Sequence, residues 1–356
     1  MKKLNFIIKY GLALLLLSFY SCESWLNVTP SDRLSEEMLF NDREGFVKAL
    51  NGVYIELNTN ELYGRNLTAG ALDVMGQYYS VASSSHAFYN YGGLVYTGND
   101  EKALFDNMWQ KCYAVIACCN TIIEKCDENK AGLSPVWKGS IKGEALALRA
   151  MLHFDMLRLF GPLTSELDKE SIPYQTNSDQ TVTPLLSGSE VIGLILDDLK
   201  NAVGLLKDTD PYFVEEEFSD TDLNYRRFRM NYFAAKGLMA RVQLWGGDKE
   251  KAAITAKEVI AEGQAEGAEF FPFVTNSEAT SSNPDRVFYS EVLFGTYHSS
   301  REKLHEDLFA PTLESTSILT LAGTARRDDL YDNENDYRYS VWSTYNKNGT
   351  SVLYHR

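Results

Sequence analysis

From Phe105 to Cys126 the chain repeats apolar residues in strict three-four alternation: Phe105, Met108, Cys112, Val115, Cys119, Ile122 and Cys126. That spacing draws one stripe along an α-helix and no single face of a strand. A stripe of this length needs a partner. A coiled coil and an antiparallel helix pair both supply one. The next stretch favours the pair. Over about 135–160, Trp137, Ile141, Ala145, Leu148, Leu152 and Leu159 make a second stripe, and Gly161–Pro162 stops it.

Three more segments repeat the pattern. In 45–57, Phe46, Leu50, Val53 and Leu57 share a face, with Asn41 and Glu44 at capping-box spacing ahead of it. Over about 189–206 the stripe is Ile192, Ile195, Leu199, Ala202 and Leu206, with Ser187 and Glu190 as the box. Residues 231–263 read as a helix, a Gly-Gly-Asp turn and a second helix capped by Asp248. Ala234, Gly237, Ala240, Ala252, Ala253 and Ala256 are small enough to let those two backbones approach. This unit is close to the ~34 residues of a tetratricopeptide repeat, although the usual Trp-Leu-Gly landmarks are missing. The expected fold class is mainly all-α, a tetratricopeptide-like scaffold of helix pairs, with 105–160 a further pair.

Between the helices lie irregular segments at about 60–100, 163–187 and 265–356, longer than a compact domain usually tolerates without a use for them. The first and last are rich in aromatics set among Ser, Asn and Gly. A tyrosine ring stacks on the apolar face of a sugar while its hydroxyl bonds at the edge. Tyr78, Tyr79, Tyr89, Tyr91, Tyr96, Trp342 and Tyr345 are therefore the candidate ligand-binding residues. Trp109, Trp137 and Trp245 fall in helices, which leaves Trp342 as the leading loop platform. The competing reading is that these rings pack the loops onto the helical core.

The start of the chain is an address rather than part of the fold. Lys2, Lys3 and Lys9 precede the apolar run Gly11–Tyr20, which is too short to span a bilayer. Leu17-x-x-x-Ser21-Cys22 is a loose lipobox, so residues 1–21 are expected to be a lipoprotein signal peptide and Cys22 the lipidated residue. Net charge is −15. Removing 1–21 removes three lysines and no acid, which makes it more negative and argues against a nucleic-acid partner. Cys112, Cys118, Cys119 and Cys126 crowd one helix, where seven-residue spacing (~10 Å) exceeds the reach of a disulfide. They are expected to be small buried hydrophobes, with no metal or other cofactor.

Catalytic signals are missing. Five histidines (86, 153, 298, 305, 355) form no His-Glu-x-x-His pattern, and no phosphate loop or Gly-x-Ser-x-Gly elbow occurs. His153 reads as structural and Glu215–Glu217 as a solvated run. Asp332, Glu334 and Asp336 alternate like the start of a calcium loop. Tyr337 stands where that loop needs Gly, and Ser343 where it needs a bidentate Glu.

Several stretches together resemble the SusD/RagB family of outer-membrane lipoproteins. "CESWLNVTPSDRLSEEMLFNDREGFVKALNGVY" resembles its mature start, with Cys22, Leu26, Pro30, Phe40 and Tyr54 in place. "KGEALALRAMLHFDMLRLFGP" resembles its most recognisable helix through Glu144, Leu148, Arg149, Ala150, Phe154, Leu157 and Gly161–Pro162. Residues 231–263 resemble its later repeat helices, and 285–294 its strand-like segment. The resemblance implies a SusD-like domain over 22–356: an N-terminal portion at 22–210, the repeat unit at 231–263 and a loop-rich 265–356. It also implies a non-catalytic, surface-exposed lipoprotein of the cell outer membrane. Such a protein captures oligosaccharides or polysaccharides as a lid over a TonB-dependent SusC-like transporter. Nothing after Tyr297 resembles the family's later Arg-Leu-x-Glu helix and Ala-Glu-Ala run, so its C-terminal region is expected to be missing. The rival functions are a peptide- or protein-binding helical scaffold at the outer membrane and a surface glycoside hydrolase.

Overall fold

The structure, a computed structural model, describes residues 36–355 except 82, 180, 266, 267, 286, 315, 322, 323, 332, 334, 337, 338, 340, 341, 348 and 349. The expected signal peptide and Cys22 lie outside the described residues. So do Asp332, Glu334 and Tyr337 of the acidic turn.

Helix α1 spans Arg43–Leu57 and buries Phe46, Leu50, Val53 and Leu57, the face its periodicity marks. Its cap sits one residue later than expected. Asp42, not Asn41, is the N-cap, and its Oδ1 accepts the Gly45 amide at 2.8 Å. Gly45 has no alternative, because a Cβ there would lie 1.5 Å from the Leu39 carbonyl oxygen of the preceding turn.

Helix α2 (Asn99–Glu128) and helix α3 (Pro135–Phe160) are joined by a tight connection. Asn129 takes the left-handed conformation (φ 46°) that ends α2, and its Oδ1 accepts from Leu133 N at 2.8 Å. Ser134 then caps α3, with Pro135 opening the first turn. Met108, Cys112, Val115, Cys119, Ile122 and Cys126 of α2 are fully buried. Cys118 is the exception among the expected buried thiols: it lies off the stripe and is exposed.

Helix α4 (Gly188–Thr209) begins at the expected capping box of Ser187 and Glu190. It lies close along α3, where a Cβ on Gly143 would meet Leu206 at 2.7 Å. α3 is thereby enclosed by α1, α2 and α4 and is buried on nearly every side.

Helices α5 (Tyr232–Trp245) and α6 (Lys249–Gly263) form the expected helix–turn–helix, with Asp248 capping α6. The small residues do not all serve the pair. Ala234, Ala240 and Ala252 are buried, but Ala253 is exposed, and Gly237 makes room for Leu293.

Outside this body the chain is irregular. A short antiparallel pair, β1 (Glu170–Pro173) with β2 (Leu185–Ser187), covers α3 and α4. Residues 285–294, expected to be extended, instead contain a 3₁₀ turn at Tyr289–Glu291. The left-handed Phe288 (φ 51°) breaks any strand there. Helix α7 (Arg301–Leu308) packs with apolar residues of 69–105 and with Leu319 into a second apolar cluster apart from the main core. Trp342–Lys347 and Thr350–His355 form a β-hairpin, so Trp342 and Tyr345 lie on a strand rather than in a loop. The fold is mainly helical, as expected.

Two buried ionic networks tie loops to this frame. Arg149 of α3 makes a bidentate pair with Asp198 of α4 (2.6 and 2.7 Å) and reaches Asn120 Oδ1 of α2 at 2.8 Å. Tyr174 donates to Asp198 at 2.5 Å, and Asn120 donates to the carbonyls of Gln175 and Asn177. The second network centres on Arg226, 1% exposed, which forks onto Asp210 at 2.7 and 2.9 Å and also meets Glu144. Glu144 in turn accepts from Arg229 Nε at 3.1 Å and from the Tyr54 hydroxyl at 2.7 Å. Burial alone would raise the Glu144 carboxyl, but Arg229 and Arg226 overcome it and hold the group below its usual range.

Candidate ligand-binding site

The loop after the short helix Ala71–Met75 carries the first group of candidate tyrosines. Its backbone turns sharply at Gln77, a non-glycine residue in the left-handed region (φ 61°). The Gln77 side chain supports the turn, its Nε2 donating to the carbonyls of Val74 (3.3 Å) and Gly92 (3.4 Å). Ser80 then bonds across to residue 320, its amide donating to the Thr320 carbonyl at 2.8 Å. Arg326 donates through Nη2 to the Gln77 carbonyl at 3.2 Å.

These contacts enclose a hollow of about 410 Å³ walled by Gln77, Tyr78, Tyr79, Ser80, Val81, Gly92 and Arg326. Tyr78 is 56% exposed, so its ring face is open. Tyr79 is half-buried and rests on Phe309 at 5.4 Å between ring centres. The chemistry present is an open ring, hydroxyls, a primary amide and a guanidinium. Together these can stack on one face of a neutral polar ring and bond its edges. Asp73, in the helix before the loop, has its carboxyl raised to about 6 by burial.

The other expected site residues part company. Tyr89 is exposed on the one-turn helix Tyr89–Gly92 but is not among the residues walling the hollow. Tyr91 is a correction: it is 4% exposed, its ring 6.0 Å from Phe88 and 6.3 Å from Phe105. It serves the second apolar cluster and has no open face. Tyr96 is half-buried and meets Phe105 edge-on at 5.4 Å. Trp342 and Tyr345 pair with His355 and Val352 across the hairpin, and only their backbone is described.

Sequence reasoning missed Arg326, which no local pattern connects to a loop some 250 positions earlier. It also passed over Tyr225, Phe228 and Tyr297, which meet around a separate hollow.

Comparison with known proteins gives the frame a lineage. Residues 24–244, well over half of the chain, match the SusD-like family model described as "Starch-binding associating with outer membrane". SusD-like protein P2 of Formosa agariphila is 26% identical over 265 residues, which cover 72% of this chain and 46% of that protein. Among solved structures, a SusD-like carbohydrate-binding protein of Bacteroides vulgatus superposes with a TM-score of 0.65 at 20% identity. The match covers 88% of this chain and 63% of that one. A SusD superfamily protein of Bacteroides thetaiotaomicron gives 0.64 at 20% identity, over 86% and 66%. The chain spans about half the length of the curated relatives it matches over most of its own length. Helical frame, matched segment and shared fold agree, and the chain belongs to the SusD-like family.

Proposed function

We propose that this protein captures oligosaccharides at the outer face of the outer membrane and performs no chemistry on them. It is moored through a lipid on Cys22 and passes its cargo to a TonB-dependent SusC-like transporter. The observation that carries the reading is the hollow at Tyr78, where an open ring stands beside the Arg326 guanidinium on a buttressed loop. A sugar ring would stack on Tyr78, with its hydroxyls within reach of Ser80, Gln77 and Arg326. The family description, starch-binding and associated with the outer membrane, supports the same assignment.

Affinity gels cast with amylopectin, xylan, laminarin or mannan test the capture. The purified protein should be retarded on at least one gel and release no reducing sugar. Tyr78→Ala should weaken that retardation on the order of tenfold, as loss of a stacking platform does. Accumulating reducing sugar would make the protein a hydrolase instead, and retardation on no gel would favour a protein-binding scaffold. The anchor is checked by palmitate labelling: Cys22→Ser should abolish both the label and membrane association.

A further inference from the structure

A second group of exposed rings walls a hollow that shares no lining residue with the one at Tyr78. Tyr225 and Tyr297 are 58% and 66% exposed, slightly more open than Tyr78. Between them lies Phe228, its ring centre 6.3 Å from Tyr225 and 5.6 Å from Tyr297. With Tyr54 of α1 these rings wall a hollow of about 610 Å³, within the ~300–1,000 Å³ usual for small-molecule sites. Phe228 and Tyr297 also wall a neighbouring hollow of about 830 Å³ that contains His298 and Arg301. The two rings thus form a ridge with open space on both sides.

The polar groups stand at the edges of the apolar hollow. Arg229 lies over the Tyr54 ring at 4.8 Å and bonds Asn51 through Nη1 at 2.6 Å. Its Nη2 has no acceptor among the described residues. Asn58 is oriented by its Nδ2, which donates to the Tyr54 carbonyl at 2.8 Å, and its Oδ1 is a buried acceptor without a partner.

The rings are positioned by the Arg226 network. Arg226 lies between Tyr225 and Phe228 along the chain, and its buried side chain is locked onto Asp210 and Glu144. The Tyr54 hydroxyl is locked in turn, donating to Glu144 and accepting from Met230 N at 2.8 Å. Placing a buried arginine in a surface loop is costly. Here it fixes the rings beside it before anything binds, which lowers the entropy cost of binding.

We infer that this ridge is a second saccharide-binding site, separate from the hollow at Tyr78. It takes an oligosaccharide whose ring faces stack on Tyr225, Phe228 and Tyr297 and whose hydroxyls bond at Arg229. The inference rests on the glycan-capturing reading above and adds a second point of attachment to the same polymer. Two such points would favour long chains over short ones through effective concentration.

The test takes the polysaccharide that retards the wild type and titrates it calorimetrically into three purified proteins: wild type, Tyr78→Ala, and Tyr78→Ala with Tyr225→Ala and Tyr297→Ala. All exchanged rings are exposed, so melting temperatures should match, and this is checked first. Tyr78→Ala should still bind, and the triple variant should bind on the order of tenfold more weakly than Tyr78→Ala. Restoring Phe at 297 should return most of that loss, since the ring and not the hydroxyl does the stacking. Binding abolished by Tyr78→Ala alone would overturn the second site and leave the function intact. Equal binding by Tyr78→Ala and the triple variant would overturn it as well. Absence of any wild-type binding would overturn the function and this site together.

Discussion

The loop at 225–230 and the loop at 77–96 both present tyrosines to solvent, but they are held by different forces. The first is pinned by charge: Arg226 on Asp210 and Glu144, Arg229 on Glu144 and Asn51. The second is held by apolar contact: Phe88, Tyr91 and Leu319 are buried together, and the Ser80–Thr320 bridge joins the strands of chain. Buried ion pairs are directional and unforgiving, because removing one partner leaves the other charged and dry. Apolar packing is non-directional and gives way more gradually. The first loop is therefore rigid by construction, and the second can adjust around its cluster.

The sharpest way to break this contrast is Glu144→Ala. It takes one of two carboxylates from Arg226, removes the carboxylate partner of Arg229 and frees the Tyr54 hydroxyl, and should cost about 3–5 kcal/mol in urea unfolding. Unchanged stability would mean the network does not hold the frame. Next, Leu319→Ala removes a side chain that is 1% exposed in the second cluster, for about 2–4 kcal/mol locally. Hydrogen exchange should then rise in 69–105 and 301–320 while α3 and α4 stay protected. A uniform rise would show that the loops and the helical body open together.

The smallest effect does not separate the 77–96 loop from the helical body, because each holds a buried neutral histidine. His153 donates from Nδ1 to the Arg149 carbonyl and accepts at Nε2 from Gln175 N, both at 3.0 Å. Burial lowers its pKa from 6.5 to about 3. His86, between Phe88 N and the Ile318 carbonyl, is also lowered by burial. In each case the unfolded chain takes up the proton first. Stability is therefore complete above about pH 6.5 and falls as the pH drops below it. At ~1.4 kcal/mol per pH unit, His153 alone should lose about 2 kcal/mol by pH 5. Urea midpoints at pH 7.5 and 5 measure this, and His153→Gln, which can keep both hydrogen bonds, should flatten the slope.

Much of the helical frame was legible because its signals are local. The seam at 105–126, the Ser187–Glu190 box and the Gly161–Pro162 stop each lie within a few turns of chain and appear where expected. The cap at Asp42 shows the limit, since neighbouring Asn and Asp are equally able acceptors and backbone geometry chose between them. The ionic networks were not legible as networks. Glu144 and Arg149 stood out as family landmarks, but their partners lie far along the chain, and a charged residue carries no mark of its burial. The site was read less well for the same reason. Tyr78 and Tyr79 were found through the aromatics set among Ser, Asn and Gly around them, whereas the aromatics around Tyr225 and Tyr297 lie among charged and apolar residues and Arg326 carries no local signal.

By itself the sequence determined where helices form and which of their faces turn inward, because both follow from periodicity within a single helix. Only the tertiary structure decided which rings remain open. Tyr78 and Tyr91 share one loop and one chemistry, yet one is exposed and the other sealed against Phe88 and Phe105. Solvent exposure depends on what the rest of the chain brings alongside, and no short stretch of sequence contains that information.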